Sequence, residues 1–242
     1  MLIGESINKV QSAYSKGISS DDSRLSNRLV YSKLKGMRIK LLSQKLDKRQ
    51  VLSQWCYQTI TVSMQEVSQA ECPELVSATC KVLRSKRPLP QIFTNMSKLQ
   101  IQSVTSLDGS NSYGETSWQM IKYKNSRKWA KDIPEYYIRS GYLYITDKKT
   151  LDMVSLTALF NCPIEARQFS DSCGKVYSSC ASYLEYDFAV DGKLEDALVE
   201  MCKEQFVFDF LGISDTKNNA QDDTQSIPRR QSRNQQQEDQ YE

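Results

Sequence analysis

The residues of this chain that could do chemistry are seven cysteines and a few closely spaced carboxylates. Cys72 with Cys80, and Cys173 with Cys180, could be imagined as a zinc site made of thiolates alone. Seven and six residues separate the members of these pairs, whereas zinc-binding pairs usually have about two to four intervening residues. An odd number of cysteines also suits reduced thiols better than disulfides. We therefore expect buried, reduced cysteines and neither a metal nor a cofactor.

Glu185 and Asp187 come nearest to an acid–base pair. They occupy alternate residues of a segment that could be a strand, so both could share one face. Such pairs without further partners are more often ordinary surface residues. The chain has no histidine, which excludes Ser-His-Asp triads, Cys-His pairs and histidine-bound zinc. It also has no glycine-rich phosphate loop. We therefore predict that the protein is not an enzyme and has no catalytic residues.

The composition is ordinary for a globular chain. Its 242 residues include 32 Lys or Arg and 29 Asp or Glu, a net charge of +3, and they fit one large domain or two small ones. The amino terminus lacks an apolar signal segment, and no run of about eighteen apolar residues occurs. We therefore expect neither secretion nor a membrane span, and we expect the chain in the cytosol or in an assembly built there.

Positive charge is concentrated at the amino-terminal end. The first fifty residues carry eleven basic and four acidic side chains, a net of +7. One interpretation is a solvated flank whose long side chains cover apolar surface. The other is contact with phosphate or with an acidic partner. Because Tyr31 is the one aromatic residue interleaved with these cations, sequence-specific reading of bases is not expected.

Apolar spacing predicts two helices in the same region. A short helix with a stripe of Ile3, Ile7, Val10 and Tyr14 ends near Gly17. A longer helix, capped by Ser19 or Ser20, continues toward residue 46. Its apolar stripe, expected to contact another subunit, is Leu25, Leu29, Leu34, Met37 and Leu41. Its basic face is Arg24, Arg28, Lys35 and Arg38.

The middle of the chain has the pattern of strands. Runs from Tyr57 to Val67, from Lys81 to Arg84 and from Ile101 to Ser106 are alternating or β-branched. The clearest hairpin joins strands 136–139 and 142–146 through Ser140-Gly141. A buried third strand is predicted from Val154 to Phe160. We interpret the hairpin tyrosines as cross-strand packing rather than as a stacking platform for bases.

The carboxyl-terminal part changes from helix to tail. Residues 192–211 form a strongly apolar helix that is either core or a subunit contact, and we expect Leu198, Met201 and Phe208 to contact another subunit. Residues 214–242 contain one large aliphatic side chain, Ile227, so this arm cannot fold alone. It is expected to be disordered or to become ordered only against a partner.

Long stretches of the sequence, in fixed order, resemble the small neck proteins of crAss-like short-tailed bacteriophages. These stretches are SDDSRLSNRLVYSKLKGMRIKLLSQKLDKRQVLSQWCYQTI, IQSVTSLDGSNSYGETSWQMIKYKNS, IPEYYIRSGYLYITDKKTLDMVSLTALFNCPIEA and SDTKNNAQDD, which together span most of residues 20 to 223. They look like the head-to-tail connector, also called adaptor or ring protein, that attaches beneath the portal of the capsid.

The resemblance implies an α+β fold with three parts. Residues 1–50 and 190–213, two N-terminal helices plus a C-terminal helix, would form a helical adaptor core. Residues 51–189 would be an inserted antiparallel β-rich region, and residues 214–242 an extended arm that docks to the portal. The docking residues expected in this arm are Asp215, Thr216, Lys217, Asn218, Asn219, Asp222, Asp223, Arg229, Arg230 and Arg233.

The same resemblance implies a structural virion protein, assembled in the host cytoplasm as a dodecameric ring on the portal. Its partners would be further copies, the portal and other neck or tail ring proteins, without a membrane. Genomic DNA would pass through the ring without sequence-specific binding. Cations facing the bore would grip phosphates and impede ejection, so we expect most of them to meet acidic surfaces of neighbouring subunits or of the portal.

An alternative from another class is a non-specific nucleic-acid-binding or packaging factor that uses the basic amino-terminal helix as a clamp. Such a factor would be monomeric and would bind duplex DNA with a steep salt dependence.

Overall fold

The computed structural model describes residues 2–15, 25–67, 82–121, 123–126, 133–146, 151–171 and 182–211. The chain divides into a larger unit of residues 1–203 and a smaller unit of residues 204–242. In the smaller unit, the described residues continue a helix, in which the Gln205 side-chain amide donates to Asp209 Oδ1 at 2.7 Å. The predicted division of the chain at residues 50, 190 and 214 stays a prediction. The predicted arm and the cysteines at 72, 80, 173 and 180 lie outside the described residues.

Among the described residues, two helices come first, nine strands follow with one short helix between them, and two helices come last. The helices are α1 (Ile3–Tyr14), α2 (Asn27–Asp47), α3 (Trp118–Ile121), α4 (Pro163–Asp171) and α5 (Gly192–Leu211). The strands are β1 (Gln58–Val67), β2 (Val82–Ser85), β3 (Thr94–Asn95), β4 (Lys98–Leu99), β5 (Ile101–Ser106), β6 (Gly114–Glu115), β7 (Glu135–Arg139), β8 (Tyr142–Thr146) and β9 (Met153–Ala158). Short 3-10 turns occupy Gln54–Cys56, Lys124–Ser126 and Tyr183–Glu185.

Seven of the strands form one curled sheet in the order β5-β9-β1-β2-β8-β7-β6. The long strand β1 makes the bend, because residues 58–63 pair with β9 and residues 64–67 pair with β2. The ends of the sheet approach each other where Ser112 bridges to Thr105 and the Tyr113 amide donates to the Val104 carbonyl at 3.0 Å. The nearly closed sheet therefore leaves little unpaired strand edge.

The inside of this sheet holds the largest cluster of buried residues. Ile60, Val62 and Met64 of β1 point inward on alternate positions, as do Val154 and Leu156 of β9. The intervening residues of both strands are Ser and Thr, which suits a face left partly open to water. Alternation along the strands thus sorts the apolar side chains to the interior.

The hairpin predicted around Ser140-Gly141 is confirmed. Strands β7 and β8 pair from Glu135 with Thr146 to Arg139 with Tyr142. Ser140 and Gly141 have φ angles of 52° and 79°. Positive φ at both central residues is the signature of a type I′ turn, whose twist matches that of paired strands. Glycine relieves the strain at the second of these positions.

Two of the predicted helices are confirmed, and the third begins later than expected. α1 and α5 occupy Ile3–Tyr14 and Gly192–Leu211 as predicted. α2 begins at Asn27, where the Ser26 hydroxyl accepts from the Leu29 amide at 3.3 Å, and not at Ser19 or Ser20. A serine at this position satisfies a free amide of the first turn.

The expected helical adaptor core is wrong. The fold is a mixed α/β arrangement with a large, nearly closed sheet and only a few helices. α2 adjoins α1, and its Leu42 clusters with Leu52, Phe93 and Leu159, which lie outside the strands of the seven-stranded sheet. The helical periodicity located α2 correctly but did not reveal these partners. The β-rich region is therefore the centre of the fold and not an insertion into it.

Candidate docking groove

A groove of about 760 Å³ lies beside the start of β1. One wall comprises residues 54–59 apart from Cys56, which belong to a 3-10 turn and the start of β1. The other wall comprises residues 185–192, which lead into α5. Ala166 and Arg167 of α4 also line the groove. We call this the docking groove; its two walls are about 130 residues apart in the sequence.

The docking groove is acidic and partly aromatic. Glu185 and Asp187 are exposed, and Asp191 is half-buried. Arg167 adds one cation, which leaves the lining with two net negative charges. Trp55 stands at the groove with 70% of its surface exposed. Carboxylates beside an exposed indole form a surface suited to a cation that also stacks on an aromatic ring.

A polar acceptor also belongs to the lining. The Gln58 side chain donates through Nε2 to the Pro163 carbonyl at 3.3 Å. Its Oε1 is buried and accepts no hydrogen bond within the part of the chain that the structure describes. Buried acceptors are nearly always paired in folded proteins. A ligand with N–H groups would satisfy this oxygen after a small side-chain movement.

Arg38 of α2 holds the two walls of the docking groove together. Its side chain is 1% exposed. Nε donates to the Ala189 carbonyl at 2.9 Å, Nη1 to the Phe160 carbonyl at 2.7 Å and Nη2 to the Cys56 carbonyl at 3.3 Å. Cys56 lies between Trp55 and Tyr57 of the first wall and Ala189 lies in the second wall, so one guanidinium is bonded to both segments.

Burial of this cation changes its acid–base properties. Desolvation lowers the pKa of the Arg38 guanidinium to about 10, and the nearby Cys56, Tyr31 and Cys162 oppose that shift. The group therefore remains charged at neutral pH. Burial, followed by the contact of its hydroxyl with Cys162 Sγ at 3.6 Å, raises the pKa of Tyr31 above its usual range. All three acceptors of Arg38 are backbone carbonyls, so its charge is compensated by dipoles.

Further contacts support the second wall. The Ile3 amide at the start of α1 donates to the Tyr186 carbonyl at 2.9 Å. Lys9 of α1 forms an ion pair with Glu195 of α5. Asp191 accepts the Leu194 amide on its carbonyl at 2.8 Å and the Lys193 amide on Oδ1 at 3.3 Å. The wall is thus held by α1, α2 and the first turn of α5.

A second feature covers the outer face of β2, β7 and β8. Tyr137 and Tyr144 stack with ring centroids 4.9 Å apart and planes at 2°. Both rings are buried. Arg139 lies over the Trp118 ring with its guanidinium carbon 4.2 Å from the ring centroid. These contacts confirm cross-strand packing of the hairpin tyrosines, and the guanidinium adds a cation–π interaction to it.

The described residues were compared with the requirements of a metal site and of a membrane span. Within the described ranges, no three His, Cys, Asp or Glu side chains lie close enough together to hold a metal ion. Cys56, Cys162 and Cys202 are buried and reduced. No described helix has the length and apolarity required to span a membrane.

Comparison with known proteins gives these surfaces a context. A family model described as phage tail ring protein 2 matches residues 5–224. The chain belongs to this family of crAss-like phage ring proteins. No curated protein matches it significantly. This ring protein is therefore a structural component of the phage tail and of the virion, and it assembles into an oligomer with other tail proteins.

The structure of the ring protein places its predicted contact residues in different environments. Leu25, Leu34, Leu41 and Leu198 are buried within the chain itself, and Leu29, Met37 and Met201 are half-buried. Phe208 is 70% exposed. Of the predicted basic face, Arg28 is exposed, Lys35 is half-buried, and Arg24 lies outside the described residues. Arg38 is not part of any exposed basic face, because it is buried beneath the walls of the docking groove.

Sequence reasoning missed the exposed position of Trp55 at the groove and the inward position of Arg38. The signal for Arg38 was its spacing. It follows Leu34 by four residues and precedes Leu41 by three, which puts it on the buried face of α2. Glu185 and Asp187 were examined as a carboxylate pair on a strand, whereas the structure places them in and after a 3-10 turn along one groove.

Proposed function

We propose that this ring protein forms a closed ring in the phage neck, joins the portal to the tail and lines the channel through which DNA passes. The observation that carries the proposal is the family match over residues 5–224. A dodecameric ring would match the symmetry expected of the portal above it. Closed rotational symmetry lets each subunit use two different surfaces, one for each neighbour, without leaving an unpaired end.

The nearly closed sheet supports association through side chains rather than through strand edges. Its first and last strands are bridged within the chain, so little edge remains to pair with another subunit. Exposed apolar side chains available for such contacts include Val51 and Trp55 after α2, which are 97% and 70% exposed. Burial of such side chains at an interface is favourable by about 25 cal/mol per Å² of apolar surface.

The proposal includes docking of the carboxyl-terminal arm to the portal. Asp215, Asp222 and Asp223 belong to the part of the arm within the family match. Ordering an arm loses about 1 to 2 kcal/mol of conformational entropy per residue, so tight binding requires a preformed portal groove with many contacts. Assembly would then follow the presentation of the portal by the capsid.

The position of Arg38 argues against the rival nucleic-acid clamp. One of the cations assigned to the basic face is internal, so α2 presents a weaker electrostatic surface to phosphates than its sequence suggests. A clamp would depend on many exposed cations acting together. The ring proposal requires only that the remaining cations contact acidic protein surfaces.

Electron microscopy of the purified full-length protein, alone and with purified portal, tests the proposal. We expect rings that bind the portal end-on and have weak affinity for duplex DNA. A monomer that binds DNA with a steep salt dependence would instead support the clamp. Replacing Asp215, Asp222 and Asp223 by Asn should weaken portal binding, whereas the matched change of Glu238, Asp239 and Glu242 to Gln or Asn should not.

A further inference from the structure

We infer that the docking groove binds the arginine-rich segment 229–233 from the carboxyl-terminal arm of a second copy of this chain. The inference rests on the proposed ring, because a ring places an identical groove beside every arm. It concerns Arg229, Arg230 and Arg233 and leaves the earlier part of the arm for the portal. Residues 225–242 lie beyond the family match. The partner of segment 229–233 is therefore inferred from the chemistry of its side chains.

The electrostatics of the docking groove call for a cationic occupant. Glu185 and Asp187 form no ion pair among the described residues. Both line the same wall, together with Asp191. Carboxylates accept guanidinium N–H groups in pairs of parallel hydrogen bonds, which are stronger than neutral ones. Three arginines within five residues supply a cation for each of these carboxylates.

The remaining lining favours arginine over lysine. Trp55 presents an exposed indole, and a guanidinium stacks on such a face better than a compact ammonium does. Gln58 Oε1, buried and without a donor in the described part of the chain, can accept one of the five N–H groups of a guanidinium. Lysine would offer neither the planar stacking nor the fork of donors.

The arm has the composition and the length that the groove requires. Its segment Ile227-Pro228-Arg229-Arg230-Gln231-Ser232-Arg233 contains a proline, which favours an extended backbone before the arginines. Arg229 follows the end of α5 at Leu211 by eighteen residues. At about 3.3 Å per extended residue, this connection reaches up to about 60 Å. That length allows the segment to reach beyond its own subunit.

The contact would be heterologous, because the arm and the groove are different surfaces of the same chain. Each subunit would give its arm to one neighbour and receive an arm from the other, which is the head-to-tail arrangement that closes a ring. Arm exchange would add avidity to an otherwise modest interface between subunits. It would also use charge pairing to fix the direction in which subunits follow one another.

Photo-crosslinking with isotope labelling tests this arrangement. A photoreactive phenylalanine analogue replaces Trp55 in full-length protein, which is mixed with ¹⁵N-labelled wild-type copies during assembly and irradiated. We expect crosslinked peptides that join position 55 of an unlabelled chain to residues 227–233 of a labelled one. Crosslinks only to the arm of the same chain, crosslinks to other segments, or no crosslinks would overturn the inference. The same analogue at Leu107, exposed beyond the far end of β5, serves as the position control.

Charge variants provide the second part of the test. The double variant Glu185→Gln with Asp187→Asn should reduce the crosslink yield at least about tenfold, the change expected for the loss of one or two charge-assisted hydrogen bonds. Both side chains are exposed, so the unfolding midpoint should stay unchanged. A crosslink yield in this variant equal to that of the wild-type protein would contradict the charge pairing.

Electron microscopy of the same samples separates the inference from the proposed function. If wild-type protein forms rings but position 55 never reaches a labelled arm, the ring proposal stands and the arm-exchange inference fails. If wild-type protein forms no rings under any condition, including with portal, the ring proposal itself fails. The two failures therefore give different images and different mass spectra.

Discussion

The replacement of Arg38 by methionine is the sharpest test of how the docking groove is built. Methionine keeps the unbranched apolar stem of the side chain, is shorter than arginine and lacks all five donors. Three carbonyl oxygens, those of Cys56, Phe160 and Ala189, lose the hydrogen bonds that the guanidinium gives them. At about 2 kcal/mol for each buried group left without its charged donor, the loss is about 6 kcal/mol.

Relief of desolvation offsets part of this loss. Burial lowers the pKa of the Arg38 guanidinium from its usual value to about 10, a change that corresponds to about 3 kcal/mol of unfavourable burial of the charge. The variant Arg38→Met no longer buries a charge, so this penalty disappears. We therefore expect the free energy of unfolding to fall by about 3 kcal/mol, the difference between the two effects.

Urea unfolding followed by circular dichroism measures this change. Arg28→Met is the matched control, because Arg28 lies on the same helix but is exposed, and surface substitutions usually change stability by less than about 0.5 kcal/mol. Arg38→Lys should also be destabilised, since one ammonium cannot reach three carbonyls that lie in different directions. An Arg38→Met variant as stable as wild type, or more stable, would refute the role of the guanidinium in holding the walls.

Three further predictions follow from the fold. Leu156→Ala, at a fully buried position inside the sheet, should reduce the free energy of unfolding by about 2 to 5 kcal/mol, while Met153→Ala on the outer face should have a small effect; urea titration compares them. Gly141→Ala should reduce it by about 1 to 2 kcal/mol, because the φ angle of 79° is strained for any residue with a Cβ. Burial raises the pKa of Cys202 to about 11 from an ordinary value near 9. Because the unfolded thiol loses its proton first, stability should fall as the pH rises from about 9 to 11, and Cys202→Ala should weaken this pH dependence in unfolding titrations. If the stability of Cys202→Ala falls with pH as steeply as that of the wild-type protein, other groups cause the pH dependence.

Local structure was predictable from the sequence wherever a short-range pattern determined it. The hairpin at Ser140-Gly141 has its own turn chemistry, and the strand at Gln58–Val67 alternates polar and apolar residues along its length. Gly192–Leu211 is apolar over a helical length and ends before a glycine. Each of these signals lies within about twenty residues and needs no knowledge of the partner element.

The arrangement of those elements depended on long-range pairing that the sequence does not display. β1 pairs with β9, about ninety residues later, and the sheet bends within β1 to pair with β2 as well. The apolar stripe of α2 predicted a helix, but it did not show that Leu42 of this helix clusters with Leu52, Phe93 and Leu159. The docking groove could not be predicted either, because its walls at residues 54–59 and 185–192 meet only in the folded chain.

Arg38 shows how charge can mislead such reasoning. Its residue type suggests solvent, and it was grouped with exposed cations on one face of α2. Its position in the helix places it among buried residues, where backbone carbonyls from three segments surround it. Position along the helix predicted its environment better than residue type did.

A cryo-electron microscopy map of the intact virion tests the central claim most directly. We expect a ring in the neck, below the portal, that encloses the DNA path. Every subunit of this ring should contain density for the nearly closed sheet. A map in which this chain is absent from the neck, or lies outside any closed ring, would contradict the account.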